Sequence, residues 1–178
     1  MVWMNDIVKV HSALYVMDRI ILNTGDLTIV SNHQYLYLNQ FKWHLDSAGY
    51  ASRRRNDVLI RMQNEIAERL GLVLKSNEEI DHKDRNRLNN RDENLRIATY
   101  SQQMANRPKK ENCLLNSIGV RLTPQGRYKA YSKHNGHQIH LGIFDTEEQA
   151  ARKRDSFVKD FFKGFAVLNF PKEINDGK

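Results

Sequence analysis

The stretch IDHKDRNRLNNRDENLRIATYSQQMANR, residues 80–107, organises the whole chain. Its second half contains residues 94–98, NLRIA, where apolar side chains alternate as in a β-strand. Thr99 followed by Gln102 forms a capping box, which predicts that a helix begins at Tyr100. Pro108 is expected to stop that helix. The predicted order is therefore strand, long loop, strand, helix.

Three residues of this stretch, Asp81, His82 and Asn94, are of the types that a single-metal phosphodiesterase uses. Cleavage of a phosphodiester needs a base to activate water and a cation to stabilise the pentavalent phosphate. Histidine can serve as the base because its pKa lies near neutrality, a carboxylate can hold a hard cation, and an asparagine amide can orient an imidazole. Because neighbours on a strand point to opposite sides, Asp81 and His82 can divide these roles only if the strand twists or ends there.

Residues 80–107 resemble the core of HNH homing endonucleases, which are found in phages and mobile introns. The resemblance extends more loosely upstream to YLYLNQFKWHLDSAGYASR, residues 35–53. It implies a strand-strand-helix fold around one divalent metal ion, Mg²⁺ or Mn²⁺. It also implies that His82 is the general base, that Asp81 is a metal ligand, and that Asn94 is the middle residue of the motif and orients the histidine.

The sequence departs from the family pattern at two places. Where the family carries Asn or His as the second metal ligand, this chain has Gln103, which keeps the carbonyl oxygen on a longer side chain. Asn106 is an alternative ligand about one turn further on. A His-Arg pair of the preceding helix is replaced by Ile60-Arg61, a position that we interpret as structural.

Basic residues are concentrated between His82 and Lys110, against only three acidic residues. Such a patch is typical of a surface that contacts the phosphate backbone of nucleic acid. In this core the predicted DNA-binding residues are Arg85, Arg87, Arg91 and Arg96.

A second module follows, in which GVRLT, YKAYS and HQIHLGIF read as three strands joined by the turns PQG and HNG. Thr146 with Gln149 predicts a capped helix after them. Tyr128, Ala130 and Ser132 share one parity, of which Tyr128 and Ala130 suit the helix side of the sheet, and cationic and polar residues occupy the other parity. A charged sheet face of this kind suits a DNA groove. The alternative is a solvated sheet face.

This second module resembles the Apetala-two (ethylene-response-factor) DNA-binding domain over most of residues 117–171. The matching segments are Gly119-Val120, Gly126-Arg127-Tyr128, Leu141-Gly142-Ile143-Phe144, Glu148-Gln149-Ala150-Ala151 and Leu168-Asn169-Phe170-Pro171. The resemblance implies that the sheet lies in the major groove with the helix behind it. Gln125 stands where plant members often have tryptophan, so base preference cannot be carried over. The predicted DNA-binding residues here are Arg121, Arg127, Lys129, Tyr131, Lys133 and His140.

The first third of the chain is less decisive. VLIRMQNEIAERLGL, residues 58–72, has helical spacing that predicts a core-facing helix ended by Gly71. QYLYLNQFKW, residues 34–43, suits a strand or a short amphipathic element. SRRRND, residues 52–57, reads equally well as a solvated hairpin tip or as a phosphate contact.

Composition limits the class of protein. The 178 residues carry a formal net charge of +7, which favours a polyanionic partner. With one cysteine, Cys113, neither an internal disulfide nor a zinc site with several thiolates is possible, and no structural zinc is expected. Charged residues interrupt the N-terminal apolar stretch, so we expect no signal peptide, no membrane span and a cytoplasmic location, in the host cell if the gene is phage-encoded.

The sequence thus predicts an α+β fold, with a strand-strand-helix metal (HNH) nuclease core followed by a small three-stranded antiparallel sheet packed on one helix. The predicted domains are an N-terminal module of the phage family (1–57), the nuclease core (58–110), a linker (111–116) and the Apetala-two-like domain (117–171). The expected function is a metal-dependent endonuclease acting on double-stranded DNA as a monomer or homodimer. The alternative is a catalytically impaired HNH scaffold that binds specific DNA sequences or regulates.

Overall fold

The computed structural model describes residues 18–109 and 114–171. It combines α-helices with small, mostly antiparallel sheets, and four α-helices fall in this described part. Contacts divide the chain into two compact units, one up to Ile97 and the other from Ala98 onward. Residues 111–113 of the predicted linker lie outside the described residues. Within the described segments, no helix has both the length and the apolar character needed to traverse a bilayer.

From residue 18 onward, the first unit contains three small sheets and two α-helices. β1 (Arg19–Ile21) pairs antiparallel with β2 (Leu27–Val30), and the short β7 (Asn89–Asn90) runs parallel to β2. A second sheet has the order β3-β4-β5, formed by the strands His44–Leu45, Ala51–Arg55 and Val58–Arg61. The strands β6 (Glu78–His82) and β8 (Leu95–Thr99) form a third sheet, and a 3₁₀ turn (Asp92–Asn94) precedes β8.

The helices α1 (Asn32–Leu38) and α2 (Met62–Arg69) supply apolar side chains to one core. Trp43 is buried there, and its indole N–H donates to the carbonyl of Leu38 at 2.8 Å. The other main contributors are Ile20, Leu22, Val30, Leu38, Met62, Ile66, Ile80 and Leu95. This core lies under the sheets that carry residues 80–97, so it fixes where the polar side chains of that stretch emerge.

The prediction of a helix over residues 58–72 was wrong at its start. Val58–Arg61 is the strand β5, and the helix begins at Met62. Asn56 and Asp57 both have positive φ, 49° and 62°, and they form the two-residue turn that joins β4 to β5. The hairpin therefore takes the first four residues of the stretch. Gly71 lies just past the helix with φ of 69°, as predicted.

Residues 34–43 and 52–57, for which the sequence left two interpretations open, have defined structures. Residues 34–43 contain most of α1 rather than a strand, and residues 52–55 of the basic segment belong to β4. Arg53 is buried and forms a bidentate ion pair with Glu65, at 2.6 and 2.8 Å. Tyr37 also donates its hydroxyl to Glu65 at 2.9 Å, so this group ties α1, β4 and α2 together.

The described residues of the second unit, 98–109 and 114–171, form two α-helices and one sheet. α3 (Tyr100–Ala105) begins with the predicted capping box, in which Thr99 and Gln102 cap each other. β9 (Val120–Leu122), β10 (Tyr128–His134) and β11 (His137–Phe144) form an antiparallel sheet of order β11-β10-β9. α4 (Glu147–Phe162) also begins with its predicted capping box and packs against this sheet.

The core of the second unit is small because α4 presents alanines to the sheet. Ala130, Ala150 and Ala151 are fully buried. Gly119 allows a close approach: its φ is 71°, and a Cβ added there would lie 2.6 Å from the carbonyl oxygen of Tyr131. Phe161 is exposed on α4 and stacks on Phe157.

Candidate active site

His82 is the last residue of β6, and its side chain turns into the first unit with only 4% of its surface exposed. The strand ends at this residue, which is one of the two conditions under which neighbouring Asp81 and His82 can take different roles. The Tyr50 ring lies over the imidazole, with a centroid separation of 5.9 Å and a tilt of 39°. The residue expected to act as a base therefore has a fixed environment.

A chain of hydrogen bonds determines the tautomer of His82. Its Nε2 lies 3.2 Å from Oδ1 of Asn90, and Nδ2 of Asn90 donates to the Thr28 hydroxyl at 2.9 Å. The Thr28 hydroxyl in turn donates to the carbonyl of Leu88 at 2.9 Å. Because Nδ2 of Asn90 donates to Thr28, the atom of this amide that faces His82 is Oδ1, which can only accept a hydrogen bond. Nε2 of His82 therefore carries the hydrogen. Nδ1 is then the nitrogen that bears the lone pair.

Burial lowers the pKa of His82 below its ordinary value of 6.5. The hydrogen bond to Asn90 and the charges of Asp84 and Asp81 oppose this shift, and Arg87 adds to it. The imidazole is therefore neutral at physiological pH, which is the state that a general base requires.

Asp81 lies beside His82 in β6, but its carboxylate is paired with Arg96 of β8. The Nε and Nη2 atoms of Arg96 lie 3.0 and 2.9 Å from the same oxygen, Oδ2. Both side chains are largely buried, at 14% and 16% exposure. Arg96, expected to contact DNA, thus has a close carboxylate partner on the neighbouring strand.

Asn94 closes the loop of residues 83–94, which we call the catalytic loop. Its Nδ2 donates to Oδ1 of Asp84 at 2.9 Å and to the carbonyl of Asn89 at 2.7 Å, and its Oδ1 accepts the Asp84 backbone N–H. Asn89 binds the other Asp84 oxygen at 2.7 Å. Burial raises the pKa of Asp84, but these hydrogen bonds outweigh it and hold that pKa below its usual value. Asp84 is thus an ionised centre around which the loop folds.

Asn90, Thr28 and Asp84 were not predicted as site residues from the sequence. The asparagine-rich loop was the signal for Asn90, since two asparagines stand next to each other in it. Thr28 lies 62 residues from Asn90 along the chain and meets it because β7 pairs with β2. Nothing in the local sequence points to that contact.

Gln103, the expected second metal ligand, is the fourth residue of α3 and is half-buried in the second unit. Asn106, the alternative ligand, is buried at the C-terminal end of the same helix. Within residues 18–109 and 114–171, no group of three or more His, Cys, Asp or Glu side chains is arranged to hold a metal ion.

Comparison with known proteins identifies the family of this chain. The model of the HNH endonuclease family matches residues 70–105. An uncharacterized HNH endonuclease of Acanthamoeba polyphaga mimivirus is 30% identical over 148 residues, which cover 82% of this chain and 75% of the viral protein. The chain belongs to the HNH endonuclease family. This membership implies nuclease activity on DNA, and HNH nucleases generally use a divalent metal ion. No solved structure matches the chain significantly.

The other arginines predicted to bind DNA in the HNH core have different surroundings. Arg85 is exposed in the turn after β6, with φ of 69°. Arg91 donates to Asp18 at 2.7 Å. Arg87 is exposed, donates to the carbonyl of Ala48 and lies over the Tyr50 ring, 4.8 Å from its centroid. Of these three, Arg87 is the one that lies against the ring covering His82.

The HNH endonuclease also presents most of its predicted C-terminal DNA-binding residues on one face of the β9-β10-β11 sheet. Residues paired across antiparallel strands share a face. The pairs on the face away from α4, called here the outer face, are Arg121–Lys129, Lys129–Ile143, Tyr131–His140 and Lys133–Gln138. The buried Ala130 and Ser132 lie on the opposite face, as the alternation predicted.

A bulge in β11 preserves this arrangement. The register skips Leu141, because Ala130 pairs with Gly142 and Tyr131 pairs with His140. Leu141 packs against the core. His140 and Ile143, on either side of the bulge, therefore both lie on the outer face. Arg127 precedes β10 and donates to Asp145 at 2.9 Å on the surface, so it lies apart from the outer-face pairs.

Proposed function

We propose that this HNH endonuclease is of the homing type and hydrolyses phosphodiester bonds of double-stranded DNA with His82 as general base. One observation carries the proposal: His82 is buried and neutral, Asn90 fixes its tautomer, and it lies in the segment that the HNH family model matches. A neutral imidazole whose tautomer is fixed by a hydrogen bond is in the protonation state from which a general base accepts a proton.

The reaction follows from that arrangement. Nδ1 of His82 takes a proton from a water molecule while the water oxygen forms a bond to phosphorus. The bond from phosphorus to the leaving oxygen breaks, and the leaving oxygen takes a proton from solvent. Nε2 keeps its hydrogen bond to Asn90 throughout, and the carboxylates of Asp84 and Asp81 stabilise the imidazolium that forms.

A divalent cation, Mg²⁺ or Mn²⁺, would be held by Asp81. Its carboxylate supplies oxygen donors, which is the ligand type that these hard cations prefer, and such ions keep several water ligands. The donor chemistry therefore fits. When bound, the cation supplies positive charge to the phosphate and the leaving oxygen. Because Arg96 is paired with Asp81, this carboxylate must be shared with the guanidinium or released by it.

The role that we propose for Asn94 differs from the expected one. Its described hydrogen bonds go to Asp84 and to the backbone of Asn89, and Asn90 is the amide that reaches the imidazole. We therefore assign Asn94 to the shape of the catalytic loop and Asn90 to the orientation of His82.

Targeting is assigned to the C-terminal module, residues 117–171, acting as an Apetala-two-like domain after the nuclease core of residues 58–110. Its outer face carries Arg121, Lys129, Tyr131, Lys133 and His140, a basic surface of a kind that lies in a major groove. One active site per chain cuts one strand, so a monomer nicks and a double-strand break requires a dimer or a second encounter. The protein acts inside the cell, where its DNA substrate is found.

Supercoiled plasmid tests the proposal directly. Incubation with Mg²⁺ or Mn²⁺ should give relaxed product, and EDTA should abolish it. His82→Ala should lower the rate by roughly 10²- to 10⁴-fold, which is the usual contribution of a general base, and leave DNA binding intact. Absence of any product under conditions where the protein shifts DNA would reject catalysis.

Two observations favour a second candidate, a DNA-binding protein without cleavage. Arg96 is paired with the carboxylate expected to hold the metal, and Gln103 replaces the usual Asn or His. Here the discriminating variant is Gln103→Asn. Cutting by Gln103→Asn together with an inactive parent would establish the impaired scaffold, whereas cutting by the parent would exclude it.

A further inference from the structure

Two arginines share one aromatic ring beside the general base. The guanidinium carbon of Arg61 lies 4.2 Å from the centroid of the Tyr50 ring, and that of Arg87 lies 4.8 Å from it. The same ring contacts His82. Arg61 is the last residue of β5 and Arg87 lies in the catalytic loop, so two distant parts of the chain bring positive charge to one place.

The loop that carries Tyr50 is held by Asp46. Its Oδ1 accepts the backbone N–H groups of Ala48 and Tyr50, both at 2.9 Å, and the Asp46 N–H donates to the carbonyl of Tyr50. Its Oδ2 accepts Nε of Arg61 at 3.0 Å. Burial raises the pKa of Asp46, but these hydrogen bonds outweigh it and keep the pKa below its ordinary value. Asp46 is thus ionised, and it fixes both the ring and one of the arginines.

Most N–H donors of the two guanidinium groups make no hydrogen bond within the described part of the chain. A guanidinium carries five N–H donors in a planar fork. Within the described part of the chain, Arg61 uses one on Asp46 and Arg87 uses one on the carbonyl of Ala48. The side chain of Arg61 is 38% exposed and Arg87 is exposed, so the remaining donors are accessible from solvent.

The charges at the Tyr50 ring do not cancel. Arg91 and Arg96 each pair with a carboxylate of their own, Asp18 and Asp81 respectively. Arg61 pairs with Asp46 at 3.0 Å, whereas the described contacts of Arg87 are to a backbone carbonyl and to the ring. Two guanidinium groups at this ring thus share one paired carboxylate. A planar fork that can bind two phosphate oxygens at once is the usual protein partner of a phosphodiester.

We infer that Arg61 and Arg87, spread over Tyr50, bind the non-bridging oxygens of the DNA phosphate that His82-activated water attacks. This inference rests on the proposed function and adds a substrate-binding pair to it. Negative charge grows on those oxygens as the fifth bond to phosphorus forms, and prearranged donors stabilise it most at that point. The Ile60-Arg61 position, which we interpreted as structural, thereby gains a functional side chain.

The test compares Arg61→Ala and Arg87→Ala with a matched control, Arg69→Ala. Arg69 also stacks on a tyrosine, 3.8 Å from the Tyr37 centroid, and also makes one hydrogen bond, to Gln34. The control removes the same charge and the same kind of contact from a different ring. Plasmid relaxation gives the turnover at saturating DNA. The salt dependence of binding to a labelled duplex in EDTA counts phosphate contacts without requiring catalysis.

Each test variant should lower turnover by about 10- to 100-fold. Each should also reduce the slope of log affinity against log salt by about 0.9 relative to Arg69→Ala, as expected for one lost phosphate contact. Turnover and slope equal to those of the control would overturn the inference, as would a fall in turnover with an unchanged slope. If Arg61→Ala fails to fold, Arg61→Lys replaces it in the test. Lysine keeps the positive charge but cannot bind two phosphate oxygens at once, so for this variant, unlike the alanine variants, the slope should stay that of the parent while turnover falls.

Failure of the proposed function gives a different result. If the parent protein does not cut any plasmid, the salt slope decides alone. A reduced slope for Arg61→Ala and Arg87→Ala would then uphold phosphate binding at this pair in a non-cutting protein. Slopes equal to that of Arg69→Ala would reject it.

Discussion

The catalytic loop and the outer face of the β9-β10-β11 sheet are both polar, but they are ordered in different ways. In the loop, side chains such as Asn90 and Asn94 are buried, and hydrogen bonds hold them in place: Asn90 donates to Thr28 and Asn94 donates to Asp84. On the sheet, strand alternation alone places side chains such as Lys129 and Lys133 on one face. Substitutions in the loop should therefore change chemistry or stability, whereas substitutions on the face should change binding.

The largest effect that separates the two regions is expected at Asn90. Asn90→Ala removes the partner of Nε2 and frees the imidazole to rotate, so turnover should fall by about 10- to 100-fold while DNA affinity is unchanged. The Asn90 hydrogen bond raises the pKa of His82, so the acid limb of the pH–rate profile should also move to lower pH. Thr28→Val removes the hydroxyl that accepts a hydrogen bond from Asn90, and it should give a smaller effect in the same direction. A loss of affinity with normal turnover would contradict the assignment.

Asn94 should contribute to the stability of the protein because it organises the catalytic loop. Asn94→Ala removes one hydrogen-bond donor from the Asp84 carboxylate and one from the Asn89 carbonyl, and it should lower the free energy of unfolding by about 1–3 kcal/mol. Asn86→Ala, at an exposed position in the same loop, is the matched control and should cost less than about 1 kcal/mol. Chemical denaturation measures both. Equal losses would mean that Asn94 does not organise the loop.

The outer face should respond in binding only. Lys129→Ala and Lys133→Ala should each reduce the salt slope of DNA binding by about 0.9. Turnover at saturating DNA should stay that of the parent. Lys159→Ala, an exposed lysine in the last turn of α4, removes the same charge from the other side of the module and should leave the slope unchanged. A slope that responds equally to Lys159→Ala would reject the outer face as the DNA surface.

The smallest expected effect is a pH dependence of rate and stability that arises from His82, next to the catalytic loop. The pKa of His82 is below 6.5 in the folded protein, so the acid limb of the rate profile should have its midpoint below that value. As pH falls below 6.5, the unfolded chain binds a proton at this residue before the folded chain does. Stability present above this pH is then lost progressively. His82→Ala should lose less stability than the parent between pH about 7 and about 5. An identical loss in both would show that His82 is not the group responsible.

The contrast also explains what could be predicted from sequence. Alternation along β10, the turn at Asn135-Gly136 and the capping boxes at Thr99 and Thr146 are local signals, and the structure confirms each of them. They depend on residues within a few positions of one another, so no knowledge of the rest of the chain was needed.

The features that could not be predicted depend on long-range contacts. The strand at residues 58–61 overrides a helical pattern because the left-handed pair Asn56-Asp57 turns the chain back onto β4. His82 is bonded by Asn90 of β7, Asn90 in turn is bonded to Thr28 of β2, and Tyr50 meets Arg87 across 37 positions. Periodicity carries no information about such pairs, and only the assembled first unit brings them together.

The short helix α3 has a consequence for engineering. Ser101 in α3 donates to the Asn135 side chain at 2.8 Å and accepts its backbone N–H at 2.9 Å, and the Val167 N–H donates to the carbonyl of Ala105. A helix of six residues has little stability of its own, so these partners keep it folded. A chimaera that exchanges the C-terminal module at the predicted linker would leave α3 behind without its supports. The safer crossover for retargeting lies upstream, near Ala98, so that the helix travels with the module that holds it.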